Sequence, residues 1–160
     1  MTEIVLRALQ SGDGGWVIAR HAALYADEEG YDATFEALVA EIVAGFLRSH
    51  DPLREGGWIA ERGGTRLGSL LVLREAEDVA KLRLVLVEPE ARGTGLARRI
   101  LDTAMKFARA AGHTTMRLWT HESHVAAGRL YARAGFRRVS ATPGHQFGQP
   151  VVGQIRECGL

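Results

Sequence analysis

The sequence predicts an α/β domain in which helices pack on a mixed β-sheet. Three observations lead to this class. Apolar β-rich runs alternate with amphipathic helical stripes, a series of hairpin strands occupies the middle of the chain, and the balance of 46% hydrophobic and 24% charged residues is ordinary for a globular protein. The 160 residues suffice to bury a sizeable core, so we expect residues 1–160 to form a single domain.

The first half of the chain predicts one strand, two helices and a hairpin. Ser11 or Asp13 is expected to cap the first helix, which Gly30 ends. Asp32 is expected to cap the second helix, which ends before Asp51. In order, the predicted elements are a strand at 4–9, a helix at 16–29, the second helix, and paired strands at 58–61 and 67–73.

The second half predicts alternating strands and helices. Gly112 and Gly135 end its two helices. The predicted elements are a strand at 79–87, a helix at 96–111, a strand at 114–120, a helix at 124–134, a strand that begins with residues 136–140, a long turn at 143–150 and a last strand at 151–157. The complete predicted order is β-α-α-β-β-β-α-β-α-β-β.

Charge and composition exclude several classes of function. The net charge of +1 gives no general basic patch, so we expect neither a nucleic-acid partner nor an anionic membrane surface. No signal pattern opens the chain, and no run approaches about 18 apolar residues. The only cysteine, Cys158, cannot form an internal disulfide. These features predict a cytoplasmic protein.

A glycine-containing loop between a strand and a helix is the strongest local signal. The strand ends near Pro89, and Gly93 and Gly95 precede the helix. Unpaired amides and the positive end of the helix dipole attract an anion such as pyrophosphate. A phosphate-binding P-loop would need Lys and Ser or Thr after the last glycine, and a dinucleotide fingerprint would need a small residue where Arg98 stands. An ordinary glycine-rich turn is the alternative.

Two motifs resemble the GNAT acyltransferase family. Val87 and Pro89, followed by Gly93 and Gly95, resemble the family's coenzyme A loop, with Glu90 as a departure from the usual Gln or Arg. Further along, a second group of residues falls on the spacing of the family's tyrosine-containing element, in which His124 replaces an asparagine; the group is Ala127, Tyr131, Gly135 and Phe136. Together the motifs cover residues 79–140.

The resemblance implies a fold, a cofactor and a reaction. The implied fold is a central, mixed, mostly antiparallel sheet flanked by helices, with two adjacent strands that splay apart to admit acetyl-CoA. The implied enzyme is an acetyl-CoA-dependent N-acetyltransferase that acts on a primary amine of a small-molecule or amino-acid-like acceptor, by direct attack in a ternary complex. The implied cofactor contacts are Leu86, Val87, Arg92, Gly93, Thr94, Gly95, Leu96, Ala97, His124 and Ala127.

Two residues are predicted to carry the proton transfers. Tyr131 matches the family's tyrosine that protonates the leaving thiolate, a step suited to a phenol because its ordinary pKa is about 10. The alternative for Tyr131 is a core position. Glu88 is the candidate base, its alternative being a solvated turn residue. His121 and His124 are further candidates for the base, with no metal expected at this pair. A water chain could also replace a dedicated base.

The acceptor site gives weaker signals. Tyr25 and Tyr31 flank Gly30 and are predicted to line the mouth of the cleft. Lys81 or Arg83 is predicted to bind a carboxylate-bearing acceptor, the alternative being that both are solvated at the exposed end of the strand. This strand is expected to alternate strictly, with Leu82, Leu84 and Leu86 on one apolar face. Glu90 is expected to be held away from the phosphates by Arg92 or Arg98.

The N-terminal helices also resemble the acetyltransferase halves of MarR-type winged-helix fusion proteins. The resemblance lies in residues 14–21, 24–25 and 35–39. No DNA-binding half precedes Ile4, so we expect a free-standing catalytic part. A non-catalytic acyl-CoA-binding sensor is the alternative function, supported by Glu90 and His124. The oligomeric state stays open, and a homodimer is compatible with the sequence.

Overall fold

The structure, a computed structural model, describes residues 2–160. Its elements follow the predicted order. The strands are β1 (Val5–Ala8), β2 (Gly56–Arg62), β3 (Thr65–Ala76), β4 (Val79–Val87), β5 (Thr115–His121), β6 (Arg137–Gln146) and β7 (Gln149–Gly159). The helices are α1 (Asp13–Glu29), α2 (Ala33–Ser49), α3 (Leu96–Ala110) and α4 (Val125–Arg133), with one 3₁₀ turn at Pro89–Ala91.

The strands form one mixed sheet in the order β1-β2-β3-β4-β5-β7-β6. Within the described residues, β4 and β5 are the parallel pair, and every other pair of neighbours is antiparallel. The parallel pairing covers four positions and stops at Leu82 and Leu118. Beyond these two residues the strands separate. The mixed sheet and its splayed central pair are therefore confirmed.

A bulge in β4 marks the place where the strands separate. Leu84 has a φ of 52°, a left-handed conformation that is unusual for a leucine. The Ser69 hydroxyl donates a hydrogen bond of 2.8 Å to the Leu84 carbonyl and so holds the bulge. The predicted strict alternation is wrong past Arg83, because Leu84 packs toward α1 and α2 while Val85 packs toward α3.

Two cores cover the two faces of the sheet. The larger core joins α3 and α4 to the sheet and includes the apolar residues Leu82, Leu96, Ile100, Leu101, Met116, Leu118 and Phe136. The smaller core lies under α1 and α2 and contains Val17, Val39, Val43 and Ile59. On that second face Trp119 of β5 keeps 52% of its surface exposed. The smaller core thus leaves part of its own face open beside the splay.

Two local predictions are corrected. The long turn at 143–150 is wrong: β6 and β7 pair up to Gln146 and Gln149, and Phe147 and Gly148 form a tight turn with positive φ. Pro143 is tolerated within β6 because β6 is an edge strand.

At the helix starts, the cap of α1 is Gly12 rather than Ser11 or Asp13. Asp13 instead lies buried and accepts hydrogen bonds from Arg7, Arg66 and the Gln10 amide. The Asp32 cap is confirmed, since its carboxylate accepts a hydrogen bond from the Thr34 amide. Among residues 2–160, no helix combines the length and the apolar character needed to cross a membrane.

Candidate active site

The glycine loop leads into α3 with a row of free backbone donors. Gly93 and Gly95 have φ values of 78° and 83°, which glycine adopts without strain. The first bond into the helix is donated by the Arg99 amide to the Gly95 carbonyl. Among residues 2–160, the amides of positions 93–98 have no hydrogen-bond acceptor. A fifteen-residue helix therefore begins with several aligned N–H groups that an anion can bind.

Side chains around the loop fix its shape. The Thr94 hydroxyl donates to the Ala91 carbonyl at 2.5 Å, and Leu96 is buried in the core. Because these two side chains are already engaged, a bound ligand can contact Thr94 and Leu96 only through their backbone N–H groups, as it does the glycines. Thr94 also borders a separate open depression of about 640 Å³ with Arg62 and Arg99. Ala97 occupies the second position of α3 and is half-buried.

The space between the splayed strands is a cleft of about 490 Å³. Its walls come from α1, from the bulged end of β4, and from the start of α4. Residues that the sequence assigned to the cofactor and acceptor sites lie together on these walls, namely Tyr25, Leu86, Val87, Arg92, His124 and Ala127. Glu28 and Glu29 also line the cleft, although no motif in the sequence pointed to them.

Arg92 and Glu90 do not interact as expected. Arg92 forms an ion pair with Glu28 of α1, and one of its contacts is 2.9 Å long. Arg98 pairs with Asp102 within α3 at 3.1 Å. Glu90 is therefore held by neither arginine, and it is exposed on the 3₁₀ turn. The predicted role of these arginines toward Glu90 is wrong.

Glu88 lies at the end of β4 and is only 6% exposed. Both of its carboxylate oxygens accept hydrogen bonds from the Arg20 guanidinium, the longer contact being 2.8 Å. This bidentate ion pair fastens α1 to the end of β4. Glu88 therefore follows Val87 of the cleft wall with both oxygens already engaged, and the alternative of a solvated turn residue is wrong.

Tyr131 lies on α4 and is 9% exposed. Burial raises the pKa of Tyr131 to about 12. Its ring lies 5.8 Å from that of Phe136 in the larger core. The phenol therefore stays protonated throughout the physiological pH range.

An aromatic and histidine cluster lies behind Tyr25 and His124, two residues of the cleft wall. The Tyr31 hydroxyl bonds to Nδ1 of His121, and Nε2 of His121 lies 3.2 Å from the Gln146 side-chain oxygen. Because that oxygen accepts, a neutral His121 carries its proton on Nε2 and takes a hydrogen bond from Tyr31 on Nδ1. Burial raises the pKa of Tyr31. Phe147, from the tight turn, packs on Tyr31.

His124 and Tyr25 link this cluster to the cleft. Nε2 of His124 lies 3.2 Å from a Glu29 carboxylate oxygen, and burial lowers the pKa of His124. Tyr25 stacks on Tyr31 with ring centroids 5.6 Å apart, and burial raises its pKa to about 12. The two predicted acceptor tyrosines are therefore neighbours, with Tyr25 on the wall and Tyr31 behind it.

The sequence matches the acetyltransferase (GNAT) family over residues 18–136, which is more than half of the chain. The chain belongs to the GNAT acetyltransferase family. GNAT proteins are acetyltransferases that use acetyl-CoA, so the predicted enzyme class and cofactor are confirmed.

Curated relatives in the GNAT family include two mycothiol acetyltransferases. That of Salinispora arenicola is 33% identical over 159 residues, covering 89% of this chain and 48% of the relative. That of Thermobispora bispora is 35% identical over 89 residues, covering 52% of this chain and 30% of the relative. The rat N-acetyltransferase family 8 member 2 is 29% identical over 70% of this chain and 48% of its own. The chain thus spans at most about half the length of these relatives.

Solved GNAT structures share the fold across nearly the whole chain. A Staphylococcus aureus GNAT acetyltransferase has a TM-score of 0.80 at 14% identity and covers 98% of this chain and 99% of its own. A Salmonella typhimurium protein, solved with its cofactor acetyl-CoA, has a TM-score of 0.76 at 17% identity and covers 99% and 94%. The resemblance to MarR-type fusion proteins is not tested by these relatives and stays a prediction.

Six of the predicted site residues of this GNAT domain lie together on the walls of the cleft. Glu88, Tyr31 and Tyr131 are buried and are not among the lining residues. Arg83 does not line the cleft either, and it lies on the face of the sheet that carries α1 and α2. Sequence reasoning missed Arg20, Glu29, Gln146 and Phe147. Their positions depend on contacts between distant segments, and only the Phe147-Gly148 turn left a signal in the sequence.

Proposed function

We propose that this GNAT domain, acting as one unit over residues 1–160, transfers an acetyl group from acetyl-CoA to a primary amine of a small or amino-acid-like molecule, by direct attack in a ternary complex. One observation carries the proposal. Beyond Leu82 and Leu118, where β4 and β5 stop pairing, lies a cleft of about 490 Å³ whose lining reaches Arg92, the residue before the free amides of the glycine loop.

The residues present fit acetyl-CoA along this cleft. The amides at positions 93–98 would hold the pyrophosphate, and the unpaired edge of β4 at Leu86 and Val87 would hold the pantetheine arm as an added strand does. His124 and Ala127 form the opposite wall. When bound, the cofactor supplies the activated acyl carbon that the amine attacks.

Tyr131 is proposed as the proton donor to the leaving sulfur. Its raised pKa keeps the phenol protonated, and a thiolate with an ordinary pKa of about 8.5 is formed more easily when a donor stands beside it. Burial on α4 fixes the ring, so that little reorganisation is needed as the charge develops.

We place the removal of the amine proton at Tyr31 and His121 rather than at Glu88. Both oxygens of Glu88 are held by Arg20, whereas Nδ1 of His121 already accepts the Tyr31 proton as a hydrogen bond. Because Tyr31 lies behind the wall, the amine proton would pass through a water molecule to the Tyr31 oxygen while the Tyr31 proton passes to His121. The Gln146 oxygen accepts from Nε2 and stabilises the resulting imidazolium. Glu88 then positions α1 against β4.

An amine assay coupled to thiol release tests the proposed function. The chain is incubated with acetyl-CoA and a panel of amines, polyamines, amino acids and aminoglycosides, and free CoA thiol is measured. We expect saturable thiol release with at least one amine, and release that is slowed in Tyr131→Phe. Calorimetric binding of acetyl-CoA without turnover across the panel would contradict the proposal and favour the sensor function.

A further inference from the structure

Three cations lie on one face of the sheet where β4 and β5 pair. Lys81 and Arg83 of β4 and Arg117 of β5 point away from the larger core, because Leu82 and Leu118 point into it. Burial is the main cause of the lowered pKa of Lys81, and the positive charge of Arg83 lowers it further. This repulsion is expected for two cations on one face of the sheet. These side chains form a basic strip beside the open part of that face.

Two of the three cations are neutralised within the strip. Glu75 lies 3.8 Å from Lys81 and 2.9 Å from Arg117. Glu157 adds a second contact to Arg117, at 2.5 Å. Arg83 has neither a hydrogen-bond acceptor nor a carboxylate within 4.0 Å among residues 2–160. The strip therefore carries one positive charge without a partner.

The surroundings of Arg83 make this charge unfavourable when it is alone. Arg83 is half-buried, and burial lowers its pKa, with Glu75 acting in the opposite direction from a distance. A partly desolvated cation without a partner gains strongly from a bound anion. A guanidinium can hold a carboxylate or phosphate with two parallel hydrogen bonds.

The position of Arg83 relates it to the cleft. Arg83 is the first β4 residue after the last parallel pair, and it precedes the bulge at Leu84. Trp119 is likewise the first β5 residue after that pair, on the same face of the sheet, and 52% of its surface is exposed. Val85, which lines the cleft, is two residues further along β4 than Arg83, a distance of roughly 7 Å along the strand.

We propose that Arg83 and Trp119 form the acceptor subsite and select an amine that also carries an anionic group. This inference rests on the proposed function. The anion pairs with the Arg83 guanidinium, the body of the acceptor lies against the Trp119 indole, and the amine reaches the splay. The short distance between Arg83 and Val85 favours amines one to three carbons from the anion, as in amino acids.

Matched acceptors test the subsite. We would compare kcat/KM for free amino acids with that for their carboxamides, and for phosphoethanolamine with that for ethanolamine. The wild type is expected to prefer the anionic member of a pair by about ten- to hundredfold. A preference confined to the amino acids would identify a carboxylate site, and one confined to phosphoethanolamine a phosphate site.

Variants assign the preference to the residues. Arg83→Gln should lower kcat/KM for the anionic acceptor to that of its neutral partner while the KM for acetyl-CoA is unchanged. Trp119→Ala should raise the KM for both members of a pair. Arg48→Gln, on the exposed end of α2, should match the wild type. Equal losses on anionic and neutral acceptors in Arg83→Gln would overturn the inference.

A binding measurement separates this inference from the proposed function. Amino acids and their carboxamides are titrated into the ¹⁵N-labelled chain, and the Trp119 indole signal is followed, assigned through Trp119→Phe. We expect the signal to move with the acid, to stay with the amide, and to stay with both in Arg83→Gln. Failure of turnover with this pattern intact would reject the enzyme and keep the anion site. Equal shifts with acid and amide would reject the anion site.

Discussion

The two ends of the cleft differ in the groups that form them, which are backbone amides at one end and side chains at the other. At the proposed cofactor end, a continuous segment of the chain supplies backbone amides at positions 93–98, and the loop needs little from its side chains. At the proposed acceptor end, the side chains come from α1, the α1–α2 connection, β5 and the β6–β7 turn, as in the contact of Tyr31 with His121 and Phe147. The backbone geometry of the first end requires only two glycines and a helix start that are close in the sequence. The side-chain arrangement of the second end depends on the whole fold.

This difference indicates which end of the cleft can change its ligand specificity. Backbone donors recognise a pyrophosphate whatever molecule is acetylated, so the cofactor end suits a fixed ligand. Side chains on separate elements can be exchanged singly, so the acceptor end suits a variable ligand. Substitutions at the two ends should therefore have separable effects, which range from about a hundredfold in turnover to about twofold in cofactor affinity.

Replacing the proton donor should affect chemistry and spare the cofactor. Tyr131→Phe is expected to lower kcat by about a hundredfold or more, because general acid catalysis of this kind contributes that much. The dissociation constant for acetyl-CoA, measured by calorimetry, should change less than threefold or so. Unchanged turnover would remove Tyr131 from the mechanism and leave it as a core residue.

The helix beside the acceptor end should lose stability in acid. His21 is 2% exposed, donates from Nδ1 to the Val17 carbonyl, and has a pKa lowered to about 4 by burial. The unfolded chain binds a proton at His21 near pH 6.5 and the folded chain does not, so stability falls as pH falls from about 6.5 toward 4. We expect a loss of about 2 kcal/mol between pH 7 and 5 from this residue.

Urea unfolding at the two pH values measures this loss. His21→Gln should reduce the pH dependence, and His145→Gln, on the exposed part of β6, should keep it. An unaltered pH dependence in His21→Gln would show that other groups cause it.

Interrupting the proton path should affect the acceptor side of the kinetics. His121→Gln and Tyr31→Phe are each expected to lower kcat/KM for the amine about thirtyfold at pH 7, because general base catalysis is lost. The deficit should shrink at high pH, where the amine is deprotonated by the solvent. A deficit that is independent of pH would indicate a structural role for this pair.

Altering the glycine loop should weaken the cofactor alone. Gly95 has a φ of 83° and has open space around its missing Cβ, so the effect of a substitution is conformational. Gly95→Ala should weaken acetyl-CoA binding about tenfold, and Gly95→Asn less, since asparagine tolerates this conformation better. Equal effects of the two variants on binding would argue against the left-handed conformation as the cause.

Neutralising Glu90 should have the smallest effect. Glu90 is exposed and held by neither Arg92 nor Arg98, so it can turn away from the phosphates. Glu90→Gln is expected to leave acetyl-CoA affinity equal or up to about twofold better, through weaker charge repulsion. A clear loss of affinity in calorimetry would mean that the loop binds its anion differently.

The order of elements could be read from the sequence because it depends on local patterns. The β4 range was predicted to the residue, and the α3 stripe and the Asp32 cap follow rules of periodicity and capping. The cofactor loop was predicted for the same reason, since its glycines and its helix are contiguous.

The remaining features depend on tertiary contacts. The sequence around Leu84 does not predict its left-handed backbone conformation, because the bulge is held by Ser69 from the neighbouring strand. The pairing of Glu88 with Arg20 joins residues 68 positions apart, and that of Tyr31 with His121 joins residues 90 apart. Such partners are chosen by packing, so the acceptor end could be located from sequence only in part.

A titration of the ¹⁵N-labelled chain with coenzyme A, followed by backbone amide NMR, tests the central claim most directly. The account predicts that the largest shifts fall on the amides of positions 93–98 and of Leu86 and Val87, with the Trp119 indole unmoved until an acceptor is added. Largest shifts on Trp119 and His121, with the loop amides unmoved, would contradict the assignment of the two ends.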